Sequence, residues 1–235
     1  MFGSQALQMS ESIIFQVQGF AEDMVGIILS FLERYKHISI VKVPGNHGRT
    51  TARAKGSYTP DNFETIAWEL IAERVRNKTG GEGTTSDNGN HHLEGGLVDF
   101  HIIYGAIGFV DILGWLVAVR HGQNIKGLQA TYTGAIDNKL RLNSVIGEHI
   151  NYYFKAHLHE AQSAEHEING EIIQNGCFVG PSLLSIEMSR AASNIPSQEF
   201  MLFHPRRGKT HHYRIHLATV DEVRHLEVIG RDDPK

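Results

Sequence analysis

The sequence predicts a mixed α/β (α+β) fold, a layered sandwich in which mixed β-sheets are flanked by helices. Helical periodicities and β-branched strand patterns alternate along the chain, and hairpin signals become more frequent toward the C-terminus. No internal repeat and no clear boundary divides the 235 residues, so a single domain spanning 1–235 is predicted. Mixed patterns of this kind are typical of layers of helices and sheets around one core.

The first part of the chain predicts two helices with a strand between them. Residues 4–35 carry apolar side chains at spacings of one, three and four, the pattern of a long amphipathic helix. His37–Val43 reads as a buried strand that must end at Pro44-Gly45. The second helix is predicted to begin at Asp61 as N-cap, with Glu64 completing a capping box.

The middle of the chain predicts a loop, two strand regions and a third helix. Residues 77–96 are rich in Gly, Thr and Asn and are predicted to be a long mobile loop. Leu97–Tyr104 and Phe109–Arg120 are β-rich, and bends are predicted at Gly108 and Gly114. A helix is predicted at Leu140–Tyr153.

The last third predicts hairpins. Asn169-Gly170 is the strongest two-residue hairpin signal, and it lies between two strand-like segments. Further strands are predicted at 153–156, 200–203 and 211–220, and residues 221–235 are predicted to be a C-terminal tail.

Composition restricts the classes of protein that the chain can represent. Lys and Arg total 22 against 26 Asp and Glu, a formal net charge of −4, which argues against a basic protein that coats nucleic acid. No apolar run approaches 18 residues and no secretory signal is recognisable, so no membrane interaction is expected. The single Cys177 excludes an intramolecular disulfide and a multi-cysteine metal cage, and it favours a cytoplasmic location.

Polar side chains follow several predicted strands directly. They are Asn46-His47, His121, His157-Leu158-His159 and Asn175. Ligands gather at the carboxyl ends of strands in sheets with helical connections, so these side chains are candidates for one shared site. The Asn carbonyl oxygen and the His ring nitrogen both bind divalent manganese, zinc or iron.

These segments resemble the motif blocks of the calcineurin-like metallophosphoesterases. Pro-Gly-Asn-His at 44–47 resembles the family's Gly-Asn-His block, and His121-Gly122 resembles its next metal histidine. Ala156-His157-Leu158-His159 is similar to the Gly-His-x-His block, and Asn175-Gly176 resembles the Asn-Gly-Ser strand. The resemblance covers about residues 38–220 and is strongest to phage-encoded and DNA-repair-exonuclease-like members, which implies the host cytoplasm as the location of a phage-encoded chain.

The resemblance implies a metal-dependent phosphoesterase. Asn46, His121 and His157 would bind one metal ion, and His159 would bind the other. Manganese is the favoured ion, with zinc or iron as alternatives, and His47 would lie beside the scissile phosphate. The family hydrolyses phosphoesters by in-line attack of a metal-bridging hydroxide, so the implied partner is a phosphoester substrate, DNA among the candidates.

The sequence departs from the family pattern in two places. The Asp-x-His and Gly-Asp-x-x-Asp blocks do not precede residue 38, so the chain resembles a member without its N-terminal part. Weak or absent hydrolysis by this chain alone is therefore expected, together with a complementing N-terminal segment or self-association. Gly48 stands where the family often has a carboxylate that orients the preceding histidine, and Arg49 is expected to compensate by binding phosphate.

Three alternatives remain open at this stage. The first is a non-catalytic phosphoesterase-like subunit or binding module. The second is a cupin-like mononuclear site built on His157, His159 and Glu165. The third is a permuted metal site at Asp99-Phe100-His101, against which stands a simple strand with one polar face.

The most basic stretch lies near the C-terminus. Arg206-Arg207-Gly208-Lys209 precedes His211-His212-Tyr213-Arg214, and Phe203 lies nearby. This stretch could track a phosphate backbone while Phe203 or Tyr213 stacks on a base, or it could be a solvated hairpin tip.

Overall fold

The computed structural model describes residues 12–50, 62–80, 85–87, 90–94, 97–122, 132–166, 170–179 and 195–218. It contains mixed α and β structure, with sheets accompanied by helices, which confirms the predicted fold class. Predictions that fall on residues 4–11, 167–169 and 219–235, including the C-terminal tail, lie outside the described residues. The chain divides into two compact units, residues 1–111 with 116–126 and residues 112–115 with 127–235. The single domain stays a prediction.

The first unit begins with two helices that pack on each other. Helix α1 spans Ile13–Leu32 and starts at Ser12, whose side chain accepts a hydrogen bond from the Phe15 amide at 3.4 Å. Helix α2 spans Phe63–Thr79 and ends at Gly80, whose φ of 72° is the left-handed conformation that glycine adopts most easily. The buried side chains between these helices and their sheet are Ala21, Val25, Ile28, Ile71, Ala72, Val75, Val98, Phe100 and Ile102.

A four-stranded sheet completes the core of the first unit. Its strands are β1 (Ile38–Lys42), β2 (Thr85–Asp87), β3 (Asn90–Glu94) and β4 (Val98–Ile102), in the order β1-β4-β3-β2. Strands β1 and β4 are parallel, with Ile38 opposite Val98, whereas β3 is antiparallel to both of its neighbours. The predicted strand at 37–43 is confirmed. The stretch 77–96 differs from the predicted loop, because α2 continues to Thr79 and two short strands follow.

Strands β5 (Gly108–Ile112) and β6 (Trp115–Arg120) are joined by a tight turn. Leu113 and Gly114 have φ values of 56° and 86°, the left-handed pair of a two-residue hairpin turn. The bend predicted at Gly114 is therefore confirmed, whereas the bend predicted at Gly108 is wrong, because Gly108 is the first residue of β5.

The second unit combines a helix with short strands. Helix α3 spans Tyr132–Ile146 and ends at Gly147, earlier than the sequence predicts, because Gly147 has a φ of 72°. Asn143 Oδ1 accepts a hydrogen bond from the Ile150 amide at 3.0 Å. This bond links the end of the helix to the segment just before the next strand. The helix predicted at Leu140–Tyr153 is therefore wrong in its last seven residues.

Five strands belong to the second unit. They are β7 (Tyr152–Lys155), β8 (Gln162–Glu165), β9 (Glu171–Gln174), β10 (Ser197–His204) and β11 (Gly208–His216). Strand β9 is buried, parallel to β7 and antiparallel to β8, and β10 pairs with β11 in an antiparallel hairpin. Strands β8 and β9 pair antiparallel, as the hairpin signal at 169–170 predicts, although residues 167–169 of the turn lie outside the described residues. The antiparallel β10–β11 pair agrees with the hairpins predicted toward the C-terminus.

Helix α1 exposes several large apolar side chains to solvent. Ile14 and Phe15 are 64% and 65% exposed, and Phe31 is 50% exposed. Among the described residues, α1 alone has the length and composition of a membrane-spanning helix, a property that buried core helices and signal sequences share. The absence of a membrane interaction therefore stays a prediction.

Candidate functional site

The loop after β1 and the loop after β6 bring two of the predicted metal ligands together. Asn46 follows β1 by four residues, and His121 follows β6 directly. Asn46 Oδ1 and His121 Nε2 lie 2.7 Å apart, although 75 positions separate the residues in sequence. Both loops belong to the first compact unit. The expectation that strand ends place these two side chains at one point agrees with this contact.

The N-terminus of α2 holds the loop that carries Asn46. Glu64 accepts hydrogen bonds from two backbone amides of the loop, Gly45 through Oε2 at 2.6 Å and Gly48 through Oε1 at 3.0 Å. The Phe63 amide donates to the Gly48 carbonyl at 2.7 Å, and Asn62 Nδ2 donates to the Gly45 carbonyl at 3.3 Å. The loop is therefore fixed on both sides of its two polar side chains.

The start of α2 differs from the predicted capping box. The N-cap is Asn62, whose Oδ1 accepts a hydrogen bond from the Glu64 amide at 2.8 Å. In a capping box the acidic side chain would return to the N-cap amide of its own helix. Here the Glu64 carboxylate reaches a different segment of the chain, which sequence spacing alone does not reveal.

Gly48 has a steric reason to be glycine. A Cβ atom at this position would lie 2.3 Å from Asn62 Oδ1, 2.5 Å from Glu64 Cγ and 2.9 Å from the Glu64 backbone nitrogen. No carboxylate-bearing side chain fits there without moving the start of α2. The packing of loop and helix therefore accounts for a glycine at position 48, where the resemblance implied a carboxylate.

His47 and Arg49 flank Gly48 and were predicted to contact phosphate. His47 is exposed and Arg49 is half-buried, with its backbone in an isolated antiparallel bridge to Asn62. Exposure leaves the His47 ring accessible to a substrate, as its predicted role requires. The roles of both residues stay predictions.

Lys42 is buried at the end of β1, directly before the loop. Its ammonium nitrogen lies 2.6 Å from Thr65 Oγ1. Burial lowers the pKa of Lys42 from 10.5 to about 8, although the charges of Glu64 and Glu69 act in the opposite direction. Glu69 in turn accepts a hydrogen bond from the Tyr104 hydroxyl at 2.6 Å, and burial with this bond raises the Tyr104 pKa well above its usual value.

The other two predicted ligands, His157 and His159, follow β7 in the second unit. Their φ values are 76° and 62°. Among the described residues, Leu113 is the single other non-glycine residue with positive φ. Left-handed backbone at a residue other than Gly or Asn is unfavourable, and such strain concentrates at functional sites. The Leu158 amide closes a tight turn by donating to the Ala156 carbonyl at 3.0 Å.

Cys177 is a partner of His159 that the sequence did not indicate. The hydrogen bond between the two side chains is the largest cause of a raised pKa at His159 and of a lowered pKa at Cys177. A polar cavity of about 280 Å³ adjoins His159 and is lined also by Arg214 and His216. The nearby Asn175 is engaged structurally, because its side chain donates to Gln198 Oε1 at 2.7 Å and accepts from the Glu199 amide at 2.9 Å.

Much of the basic C-terminal stretch is paired with buried carboxylates. Glu199, whose side chain is 3% exposed, contacts His212 Nε2 at 2.5 Å and Arg214 Nε at 2.8 Å. Lys209 forms an ion pair with the buried Glu171. Arg206 and Arg207 lie exposed at the turn between β10 and β11.

The two aromatic residues suggested for base stacking differ in accessibility. The Phe203 ring packs edge-on against Tyr152, with 5.0 Å between centroids, and is half-buried. Tyr213 is 50% exposed and stacks parallel to His211 at 6.0 Å. Of the two, Tyr213 is therefore the one that remains available to a ligand.

The alternative site at Asp99-Phe100-His101 has the features of an ordinary strand. Along β4 the side chains alternate between buried apolar and half-buried polar positions. Asp99 Oδ2 lies 2.8 Å from His37 Nε2 and is thus paired locally. Within the described ranges, no group of three or more His, Cys, Asp or Glu side chains is arranged to hold a metal ion.

The fold and these side chains define a mixed α+β protein with candidate ligands for a divalent metal at the ends of its strands. Solved structures similar to this chain include Vps29 from Entamoeba histolytica. A single mutant aligns with 12% identity and a TM-score of 0.35, covering 48% of this chain and 62% of that one. A double mutant aligns with 11% identity and a TM-score of 0.35, covering 49% and 62% respectively.

A third similar structure is wild-type Vps29 from the same organism, complexed with Zn²⁺. It aligns with 11% identity and a TM-score of 0.32, covering 76% of this chain and 96% of that one. No protein-family profile and no curated protein sequence matches the chain.

Proposed function

We propose that this chain is a metal-dependent phosphoesterase that hydrolyses phosphomonoesters or phosphodiesters, with DNA ends among its candidate substrates. The observation that carries the proposal is the 2.7 Å contact between Asn46 Oδ1 and His121 Nε2. This amide oxygen and this imidazole nitrogen, 75 positions apart in sequence, would be two of the three proposed ligands of the first ion. These donors suit a divalent ion of intermediate hardness such as Mn²⁺, with Zn²⁺ or Fe²⁺ as alternatives.

The remaining ligands in this proposal are His157 for the same ion and His159 for a second one. The support is the strained backbone at both positions, with φ values of 76° and 62°. His159 also carries a hydrogen bond to Cys177. Metal binding would exchange this bond for a metal–nitrogen bond and would require the neutral ring.

In the proposed chemistry, both the metal and the side chains of the loop after β1 act on the phosphoester. Bound divalent metal supplies a water of lowered pKa and neutralises charge on the phosphoryl oxygens. The exposed His47 then binds a phosphoryl oxygen or protonates the leaving oxygen, and Arg49 binds phosphate through its planar guanidinium. Arg206, Arg207 and the exposed face of Tyr213 are candidates for contacts to a DNA strand.

We further propose that hydrolysis by this chain alone is weak or absent, that a second copy of the chain completes the active form, and that the protein acts in the cytoplasm. The apolar side chains that α1 exposes support an association of this kind. Light scattering of the purified chain at about 100 μM tests this self-association, because that concentration is roughly ten times the Kd of a weak dimer with a Kd of about 10 μM. A single monomer peak would contradict the proposal.

The test of the metal site combines binding with hydrolysis. The full chain is titrated with MnCl₂ by calorimetry and then assayed on bis-p-nitrophenyl phosphate with added manganese. His121→Ala and His157→Ala should each weaken Mn²⁺ binding and remove whatever hydrolysis the chain has. His149→Ala, at an exposed position between α3 and β7, is the matched control and should change neither. Hydrolysis that survives both ligand substitutions would refute the assignment.

A second candidate function is a non-catalytic phosphoesterase-like subunit or binding module. The finding that favours it is the lack of any group of three or more His, Cys, Asp or Glu side chains poised for a metal in the described part of the chain. Elemental analysis of the folded protein separates the two functions. Bound metal that disappears in His121→Ala supports the phosphoesterase, whereas a folded protein without metal supports the binding module.

A further inference from the structure

The carboxylate of Glu64 lies directly beneath the loop that presents Asn46. Its two oxygens accept hydrogen bonds from the amides of Gly45, at 2.6 Å, and Gly48, at 3.0 Å. These two amides bracket Asn46 and His47 in sequence. A single side chain therefore fixes the backbone immediately before and immediately after the two polar residues of the loop.

This carboxylate has a charged environment that suits an ionised acceptor. The buried Lys42 lies near enough for the two charges to attract, and its ammonium group is held by Thr65 Oγ1 at 2.6 Å. Hydrogen bonds from amides to an ionised carboxylate are stronger than those to a neutral oxygen. The loop is thus held by charge-assisted bonds in a half-buried position.

The need to cap α2 does not explain the orientation of Glu64. Asn62 already caps the helix, because its Oδ1 accepts a hydrogen bond from the Glu64 amide at 2.8 Å. The side chain of Glu64 is turned away from its own helix and toward residues that precede it by 16 and 19 positions.

We infer that Glu64 is a positioning residue for the proposed metal site, because it holds the backbone on both sides of Asn46 and so directs Asn46 Oδ1 toward His121. The inference rests on the proposed function. It also explains why no carboxylate is needed at position 48. Asn62 and Glu64 occupy the space that a side chain at this position would need. The orienting carboxylate comes instead from α2, and it acts on the loop backbone.

The test compares Glu64→Gln with Ile71→Val in the full chain. Glutamine has the same shape, but its one oxygen can accept from only one of the two amides and its NH₂ group must face the other. Ile71 is fully buried on the same helix, so removal of one methyl group destabilises the unit without touching the loop. Calorimetric titration with MnCl₂ should give an affinity about 10–100-fold weaker in Glu64→Gln, as is typical when a partner that orients metal ligands is lost. Ile71→Val should keep the wild-type affinity.

A second measurement follows the loop without metal. In Glu64→Gln, hydrogen exchange of the Gly45 and Gly48 amides, observed by NMR, should accelerate at least about tenfold, as expected when charge-assisted bonds are lost. Exchange in the interior of α2 should stay unchanged. If Glu64→Gln does not fold, Glu64→Asp serves for both measurements, because its shorter side chain keeps the charge but cannot span both amides.

The outcomes separate the inference from the proposed function. Wild-type Mn²⁺ affinity in a folded Glu64→Gln would overturn the inference and leave the metal site standing. An equal loss of affinity in Glu64→Gln and Ile71→Val would overturn it as well, because the effect would then follow stability alone. A wild-type chain that binds no Mn²⁺ would overturn the proposed function and, with it, the positioning role.

Discussion

Lys42 should make the stability of this protein depend on alkaline pH in a direction that can be worked out in advance. Its side chain is 5% exposed, and burial lowers its pKa from 10.5 to about 8. Between these two values the unfolded chain holds a proton that the folded chain has released. Folding is therefore penalised most below pH 8, and the penalty disappears as the pH rises toward 10.5.

The magnitude follows from the two pKa values. One pKa unit corresponds to about 1.4 kcal/mol, so the change from 10.5 to about 8 corresponds to about 3 kcal/mol in total. The free energy of unfolding should rise by at most about 1.4 kcal/mol per pH unit through this group. Other titrating groups act in the same range, so the effect must be isolated by subtraction.

The assay is urea unfolding of the wild type and of Lys42→Met at four pH values between 7.5 and 10.5. Methionine keeps an unbranched apolar side chain of similar size but cannot titrate. The wild-type value minus the variant value should increase by about 3 kcal/mol across the series. Lys36→Met, at an exposed position before β1, corrects for the loss of a lysine as such. A difference that stays constant, or that decreases with pH, would refute the reasoning.

Two further contrasts test the packing. Gly48→Ala should lower the free energy of unfolding by about 1–3 kcal/mol, because the new Cβ would lie 2.3 Å from Asn62 Oδ1. Gly19→Ala, in α1 with no atom within 4 Å of its Cβ, should raise it by about 0.5–1 kcal/mol, and urea unfolding that ranks the two alike would contradict the structure. Glu199→Gln should cost about 2–3 kcal/mol, because this buried carboxylate accepts two charged donors. Arg74→Ala, which breaks a more exposed ion pair, should cost under about 1 kcal/mol, and a larger melting-temperature shift for Arg74→Ala would count against this ranking.

The sequence predicted well wherever a local pattern determines the structure. The strand at 37–43, the turn at Gly114 and the late hairpins depend on β-branched alternation and on residues that accept positive φ, and these signals are short-range. Helix ends were predicted less well. The last helix was extended to Tyr153, although the left-handed Gly147 ends it seven residues earlier, because no spacing rule states which of several glycines the chain will use as a cap.

The sequence marks Asn46 and His121 as candidates because each follows a strand. Their contact is less easily predicted, because β1 and β6 belong to different sheets and the rule on strand ends of one sheet does not bring them together. The Glu64 hydrogen bonds and the Cys177–His159 pair depend on contacts between segments that are distant in sequence. In the sequence, nothing near Glu64 distinguishes it from an ordinary glutamate at the start of a helix, and nothing near Cys177 distinguishes it from an ordinary half-buried cysteine.

The left-handed backbone at His157 and His159 has a consequence for laboratory evolution. Glycine or asparagine adopts this conformation with less strain than histidine, by roughly 1 kcal/mol per position. A library screened for heat resistance alone should therefore replace both imidazoles early. A library screened for manganese uptake should retain them and accumulate its stabilising substitutions elsewhere, so the two screens together would distinguish residues kept for a ligand from residues kept by chance.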